Sequence, residues 1–261
     1  MSYSNPVFIP GPTNLPESVR RAIDLPTIDH RSPAFAEAMP KLFAGLKSIF
    51  ATKSPHIFVF PSTGTGGWEA TIANTLSPGD KVLACRHGVF SDKWIRMCEA
   101  FGLVVDVIEC DWRGPADPAL IEAALLADQN HAIKAVLATH NETATGVRSD
   151  LKAIRESIDR AEHNALFFVD GVSSIASMDF QMDAWGIDAA VTGSQKGFMM
   201  PAGLAIVAVS EKAIDAGKTA TLPRFFFDFK QMGQMTDQGG FPYTPPMQLL
   251  AGLQHSIDLL L

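Results

Sequence analysis

LFFVDGVSSIASMDFQMDAWGIDAAVTGSQKGFMMPAG, residues 166–203, is the stretch that decides which fold this sequence predicts. It holds most of two short apolar runs, Ala165–Val169 and Ala189–Thr192, each bounded by polar residues. Such runs are typical of buried strands in a parallel sheet. Asp170 follows the first run, and Lys196 lies in the glycine-containing turn after the second. Both side chains are therefore expected at the carboxyl ends of neighbouring strands, where α/β proteins bind ligands.

A carboxylate and a lysine in this arrangement suit pyridoxal phosphate. Lys196 would form the covalent Schiff base with the cofactor, and Asp170 would hold the pyridine nitrogen protonated so that the ring accepts electrons. The two residues alone leave a purely structural alternative open, in which Asp170 ends a strand and Lys196 caps a turn. The rest of the chain has to decide between them.

A second candidate site follows the β-rich run His56–Phe60. The glycine-rich turn PSTGTGG, residues 61–67, comes next and leads into a predicted helix over Trp68–Leu76. A strand, a glycine-rich turn and a helix offer free backbone N–H groups to an anion, and the hydroxyls of Thr63 and Thr65 add further donors. The spacing fits neither a Walker A loop nor a dinucleotide fingerprint. The pattern favours phosphate binding, with a flexible loop as the alternative.

Strands and helices alternate through most of the chain, which predicts an α/β fold with a mostly parallel sheet and helices on both faces. Residues 210–246 are predicted to be largely irregular, with a helix from Met247 onward. The remaining predicted strands are Lys81–Cys85, Val104–Ile108, Ile133–Thr139 and Leu204–Val209, and the remaining predicted helices are Pro16–Ile23, Phe35–Phe50, Asp92–Phe101, Pro118–Ala127 and Leu151–Asn164.

The loops after five of these strands would converge on one edge of the sheet. They contain Thr63, Phe90, Thr143, Asp170 and Lys196. An anion cradle, an aromatic ring, an acid and an amine on a single rim indicate a binding site rather than scattered polar loops. For Phe90 a place in the core is the alternative.

Composition excludes several classes of function. The net charge is −7 and no basic run occurs, which argues against nucleic-acid binding. No run approaches the ~20 apolar residues of a membrane span, and the N-terminus lacks the pattern of a secretory signal. Cysteine and histidine show no zinc-site spacing, so no metal is predicted. The odd number of cysteines, at positions 85, 98 and 110, is typical of reduced thiols in a cytoplasmic protein.

Six segments, in their order and spacing, resemble the class V branch of the fold-type-I pyridoxal-phosphate enzymes. They are PGPTN at 10–14, STGTGGWEA at 62–70, SPGD at 77–80, THNETATG at 139–146, VDGVSS at 169–174 and GSQKG at 193–197. Within that branch the chain is most similar to the serine–glyoxylate and alanine–glyoxylate aminotransferases. The resemblance implies the large, cofactor-binding domain of that fold, with a seven-stranded sheet.

The resemblance also implies roles for individual residues. Lys196 matches the Schiff-base lysine and Asp170 the acid at the pyridine nitrogen. Val172 and Phe90 match the residues on the two ring faces, and Thr143 matches the hydroxyl near the phenolic oxygen. The phosphate-binding residues are matched by Thr63, Gly64, Thr65 and Gln195. Thr244 matches a residue that reaches the cofactor phosphate of the neighbouring subunit, which implies a homodimer with shared sites.

The domain organisation expected from this resemblance has an N-terminal arm at residues 1–18 and a large domain at residues 19–261. Family members continue into a small C-terminal domain that supplies an arginine for the substrate carboxylate. Here the sequence stops at Leu259-Leu260-Leu261 inside an apolar helical pattern without a cap. The expectation is therefore a fragment or a truncated form in which that domain is missing.

The function implied is transamination of a small 2-amino acid, serine or alanine, with glyoxylate or another 2-oxo acid as acceptor. Other reactions on the same cofactor stay open: transamination of aspartate, a phosphonate amine or an ureido-amino acid, and cysteine desulfuration. A desulfurase needs a mobile nucleophilic cysteine, and all three cysteines are predicted to lie in strands or helices, which counts against it. A cofactor-binding remnant without activity is the remaining alternative.

Overall fold

A computed structural model describes residues 6–261 of the chain. Its helices are α1 (Glu17–Ile23), α2 (Pro33–Phe50), α3 (Gly64–Thr75), α4 (Val89–Ala100), α5 (Pro118–Ala127), α6 (Leu151–Arg160), α7 (Glu211–Ala216), α8 (Phe229–Thr236) and α9 (Met247–Leu260). Its strands are β1 (Ile57–Ser62), β2 (Lys81–Arg86), β3 (Val104–Glu109), β4 (Ile133–Thr139), β5 (Asn141–Glu142), β6 (Val147–Arg148), β7 (Leu166–Asp170), β8 (Ala189–Gly193) and β9 (Gly203–Val209).

Seven strands form one sheet in the order β1-β9-β8-β7-β4-β2-β3, and β5 pairs with β6 in a separate hairpin. Strand β9 runs antiparallel to both of its neighbours, whereas the pairs from β8 to β3 are all parallel. Because β1 is antiparallel to β9, it points the same way as the other five strands. Six carboxyl ends therefore meet at one edge, which confirms the predicted mostly parallel sheet.

The centre of the sheet is buried and mostly apolar. Every residue of β7 and β8 is buried, as expected for strands that are covered on both faces. The apolar runs that predicted these two strands are therefore explained by their position. Asp170 is the exception at the end of β7, since it is a buried acid at the edge where the ligand-binding loops begin.

Three helices begin earlier than predicted, and the first of them, α2, starts at Pro33 rather than Phe35. Helix α3 starts at Gly64 rather than Trp68, so most of the glycine-rich turn is its first turn. Helix α4 starts at Val89 rather than Asp92, which places Phe90 in a helix and not in a loop. Gly67 lies inside α3 although glycine has a low helix propensity. A Cβ there would lie 2.5 Å from Cγ1 of Val191 in β8. The close approach of α3 to the sheet requires glycine.

The segment predicted to be irregular contains two further helices, α7 and α8, so that prediction was wrong for residues 211–216 and 229–236. Both begin with a side-chain cap, in which Ser210 accepts from the N–H of Ala213 and Asp228 from that of Gln231. Helix α6 ends at Arg160, four residues before its predicted end. Across the described residues, no helix combines the length and apolar character that crossing a bilayer requires.

Candidate active site

A cleft of about 300 Å³ lies at the edge of the sheet where the six carboxyl ends meet. The structure brings together in it nine of the ten predicted site residues. The residues that line the cleft are Gly11, Pro12, Thr63, Gly64, Thr65, Trp68, Phe90, Thr143, Asp170, Val172, Gln195, Lys196 and Ala202.

Asp170 is the acid of the cleft and is only 4% exposed. Its Oδ1 accepts a hydrogen bond of 2.9 Å from the backbone N–H of Val172. Burial raises the pKa of Asp170 to about 7; the Val172 N–H opposes this shift, and the nearby negative charge of Glu142 adds to it. A carboxylate held in this way is poised to meet a cationic group, because a positive charge beside it would restore its ionised form.

Lys196 is the amine of the cleft and lies in the turn after β8. Its side chain runs past Gly11, where an added Cβ would lie 2.5 Å from Cδ and 2.9 Å from Nζ of the lysine. Burial lowers the pKa of Lys196, and the attraction of Asp170 opposes that shift. The amine is thus more readily deprotonated than a solvated lysine.

The segment before α1 is part of the site. The Thr13 N–H donates to the carbonyl of Gln195 over 3.0 Å, and the Thr13 hydroxyl donates to the carbonyl of Lys196 over 3.1 Å. Gly11 and Pro12 consequently line the cleft. No role at the site was predicted for this segment, although it contains PGPTN, one of the six stretches that carry the family resemblance.

The amino end of α3 forms the anion-binding part of the cleft. Thr63 is the N-cap, and its side chain makes no capping hydrogen bond. The first backbone N–H groups of any helix lack partners within the helix, and the helix dipole favours an anion there. Oε1 of Gln195 is buried beside these groups and has no partner among the described residues. Gly64 allows Val172 to pack closely against this end of the helix, because an added Cβ would lie 2.4 Å from Cγ2 of Val172.

Trp68 is a cleft residue that the sequence analysis did not assign to the site. Its indole stacks on Trp94 with the ring centroids 5.5 Å apart. Its buried Nε1 interacts with the Asp170 carboxylate, which opposes the rise in the pKa of that acid. The sequence could have indicated this role, because Trp68 follows Gly64 by four residues in the STGTGGWEA segment and therefore lies on the same face of the helix.

Thr244 is the predicted site residue that the structure does not bring into the cleft of its own chain. It is exposed, just before α9. The prediction assigned it to the site of a neighbouring subunit, so this position leaves that prediction untested.

The sequence model of the family described as Aminotransferase class-V matches residues 18–260. The chain belongs to this family. It is 56% identical over its whole length to an L-aspartate–glyoxylate aminotransferase of Paracoccus denitrificans, covering 66% of that protein. It is 52% identical to a serine–glyoxylate aminotransferase of Hyphomicrobium methylovorum, again over the whole chain and covering 65% of the relative. The chain thus spans just under two thirds of the length of these curated relatives.

The fold agrees with solved structures of aminotransferases. An alanine–glyoxylate aminotransferase of Nostoc sp. superimposes with a TM-score of 0.89 at 28% identity, over 99% of this chain and 70% of that one. Class-V aminotransferases of this fold use pyridoxal 5′-phosphate, which is therefore the cofactor. The cleft fits this group, because it supplies a lysine, a buried acid and an open helix terminus. The buried atom Gln195 Oε1, which has no partner among the described residues, belongs to a residue that lines the same space.

Proposed function

We propose that the chain forms the cofactor-binding part of an aminotransferase that moves the amino group of a small 2-amino acid to glyoxylate. The observation that carries the proposal is the meeting of Asp170, Lys196 and the amino end of α3 in one cleft. The names of the similar proteins support glyoxylate as the acceptor. We propose the same domain boundaries as from the sequence, with an N-terminal arm at residues 1–18 and a large domain at residues 19–261.

The roles proposed for the lining residues follow from their positions. The phosphate would be held by Thr63, Gly64, Thr65 and Gln195 at the amino end of α3. Asp170 would receive the ring nitrogen. Val172 and Phe90 would contact the two ring faces, and the hydroxyl of Thr143 would meet the phenolic oxygen.

The bound cofactor supplies an electron sink that makes the α-proton of the amino acid acidic. Lys196 is the proposed general base, because the pKa of its amine is lowered by burial and the cleft holds it within a narrow space beside Gly11. The same amine then returns the proton at another atom. Asp170 would hold the ring nitrogen of the bound cofactor in its protonated form, and Thr13, bonded to the carbonyl of Lys196, would help to restrict access of water to that lysine.

Replacing Lys196 by alanine is expected to abolish covalent attachment of pyridoxal phosphate. Borohydride reduction followed by peptide mass mapping should place the cofactor on the peptide containing Lys196 in the unsubstituted chain and on no peptide of Lys196→Ala. Transamination should fall by about 10³-fold or more, as for loss of an essential acid–base group. Lys134→Ala, which changes an exposed lysine outside the cleft, is the control. Attachment at another lysine, or its persistence in Lys196→Ala, would refute the assignment.

Two amino donors are favoured by specific observations. The relative at 56% identity is described as an aspartate–glyoxylate enzyme, and the one at 52% as a serine–glyoxylate enzyme. To distinguish these donors, serine, alanine and aspartate would each be incubated with glyoxylate, and the rate of glycine formation would be measured. Glycine formation from none of the three by a chain that binds the cofactor would contradict the proposed reaction.

Cysteine desulfuration is not supported by the positions of the cysteines. Cys85 and Cys98 are buried in β2 and α4, while Cys110 lies just beyond β3 and not inside a strand or helix as predicted. None of these three residues lines the cleft within the described part of the chain. A cytoplasmic location stays a prediction that rests on the cysteine pattern.

The proposed enzyme is a homodimer in which Thr244 completes the partner's site. Thr244 is exposed, and the neighbouring Phe225 is 86% exposed. Tyr243 stacks on Phe226 with centroids 4.3 Å apart and donates to the carbonyl of that residue, so the segment before α9 is tied to the segment before α8. A large exposed aromatic beside this structure is typical of an interface.

A further inference from the structure

Glu142 is a fully buried acid at the end of β5, next to Thr143. It does not line the cleft, and its charge reaches the proposed reaction only by helping to raise the pKa of Asp170. Among the described residues it forms no salt bridge, so its carboxylate is buried without a neighbouring lysine or arginine partner. A buried carboxylate is costly unless it accepts hydrogen bonds, and its partners therefore indicate its purpose.

The partners of Glu142 are backbone N–H groups from the first turn of α4 and from its own loop. Its Oε2 accepts from Ser91 over 2.9 Å, and both oxygens lie 3.2 Å from the N–H of Phe90. Its Oε1 also accepts from the N–H of Ala144 over 3.2 Å. One side chain therefore joins the first turn of α4, after β2, to the loop that carries Thr143, after β4.

The start of α4 is built to receive this carboxylate. The N-cap of α4 is Gly88, which has no side chain that could cap the helix. A Cβ at Gly88 would lie 2.1 Å from Cγ and 2.3 Å from Cδ of Glu142. The missing side chain thus makes room for a capping group that comes from β5, in the separate hairpin.

Phe90 and Thr143 both line the cleft, and each is adjacent to or part of this hydrogen-bonded group. We propose that Glu142 is a positioning residue that fixes Phe90 and Thr143 relative to each other, so that the ring-stacking side chain and the hydroxyl are held ready before pyridoxal phosphate binds. This inference rests on the proposed function for its consequence, although the bridge itself is a property of the cofactor-free chain.

The test is Glu142→Gln, which keeps the size of the side chain but replaces an acceptor oxygen by an NH₂ group. That group faces backbone N–H donors, and at least one of them loses its acceptor. Hydrogen exchange of the cofactor-free protein, followed on peptides spanning 87–94 and 140–146, should become faster in the variant. Pyridoxal phosphate should bind about tenfold more weakly, with reduced visible circular dichroism of the bound cofactor.

Asp117→Asn is the matched control, because Asp117 is an exposed N-cap that accepts from Ala119 at the start of α5, outside the cleft. It removes only the favourable interaction of the charge with the start of α5, and it should change neither exchange in the two peptides nor cofactor affinity. Unchanged exchange and affinity in Glu142→Gln would overturn the proposal, as would an equal loss of affinity in Asp117→Asn.

The proposed function can fail separately. If the unsubstituted chain bound no pyridoxal phosphate, the proposed function would be contradicted. Hydrogen exchange of Glu142→Gln and of the unsubstituted chain would still decide whether Glu142 joins α4 to the Thr143 loop, since both are measured without the cofactor.

Discussion

Asp170 is a buried acid whose surroundings differ greatly from those of an ordinary surface carboxylate. Burial raises its pKa to about 7, whereas a free aspartate titrates near 3.8. The folded chain therefore holds a proton that the unfolded chain releases between these values. The contribution of Asp170 to stability is complete below about pH 4 and is lost as the pH rises through about 7. In the cofactor-free protein this acid opposes folding at neutral pH.

Asp170→Asn should remove this dependence, since asparagine keeps the acceptor for the Val172 N–H and never ionises. Cofactor-free Asp170→Asn is expected to be more stable than the unsubstituted chain at pH 8, by up to about 4 kcal/mol, and equally stable near pH 4. Urea unfolding from pH 4 to pH 8 measures this, and the difference between the two proteins cancels the contributions of the buried histidines. Parallel stability curves across this range would show that Asp170 is not responsible.

At the scale of elements, helix α3 presents its amino end to the cleft because it packs closely on β8. Gly67 allows that approach, since its missing side chain faces Val191. Gly67→Ala should cost about 1–3 kcal/mol of unfolding free energy through overpacking. It should also weaken cofactor binding, because the helix terminus moves away from Lys196. Thermal unfolding and titration with pyridoxal phosphate give both quantities.

Gly233→Ala is the matched control for this prediction. Gly233 lies inside helix α8, and an added Cβ would meet Phe58 at 3.5 Å, an ordinary contact. Alanine there is expected to stabilise the chain by about 0.5–1 kcal/mol, because glycine loses more backbone entropy in a helix. A destabilisation of the same size at both glycines would mean that packing against β8 is not the cause.

At the scale of the whole molecule, the surface around Phe225 belongs to the proposed dimer interface, through which Thr244 would reach the active site of the partner subunit. Phe225→Asp places a charge on an 86% exposed aromatic next to the Thr244 segment. Sedimentation equilibrium should show at least a tenfold weaker dimer, as expected when a charge enters an apolar interface. Leu126→Asp, at an exposed position on α5, should leave association unchanged. A monomeric unsubstituted chain, or no effect of Phe225→Asp, would contradict the proposal.

The amino-acid sequence by itself determined the class of fold, the family and most of the candidate site. Runs of apolar residues ending in Asp170 or followed by Lys196 are local patterns, and the direction of parallel strands then places both residues at one edge. Only the tertiary structure decided that helices α3 and α4 begin at Gly64 and Val89, because those starts depend on glycines packed against other elements. It also decided that the Thr13 hydroxyl donates to the carbonyl of Lys196, 183 residues away, and that Glu142 joins the first turn of α4 to the loop that carries Thr143. Such contacts form only after the connections between parallel strands bring distant segments together, so they cannot be predicted from a pattern within a short stretch of sequence.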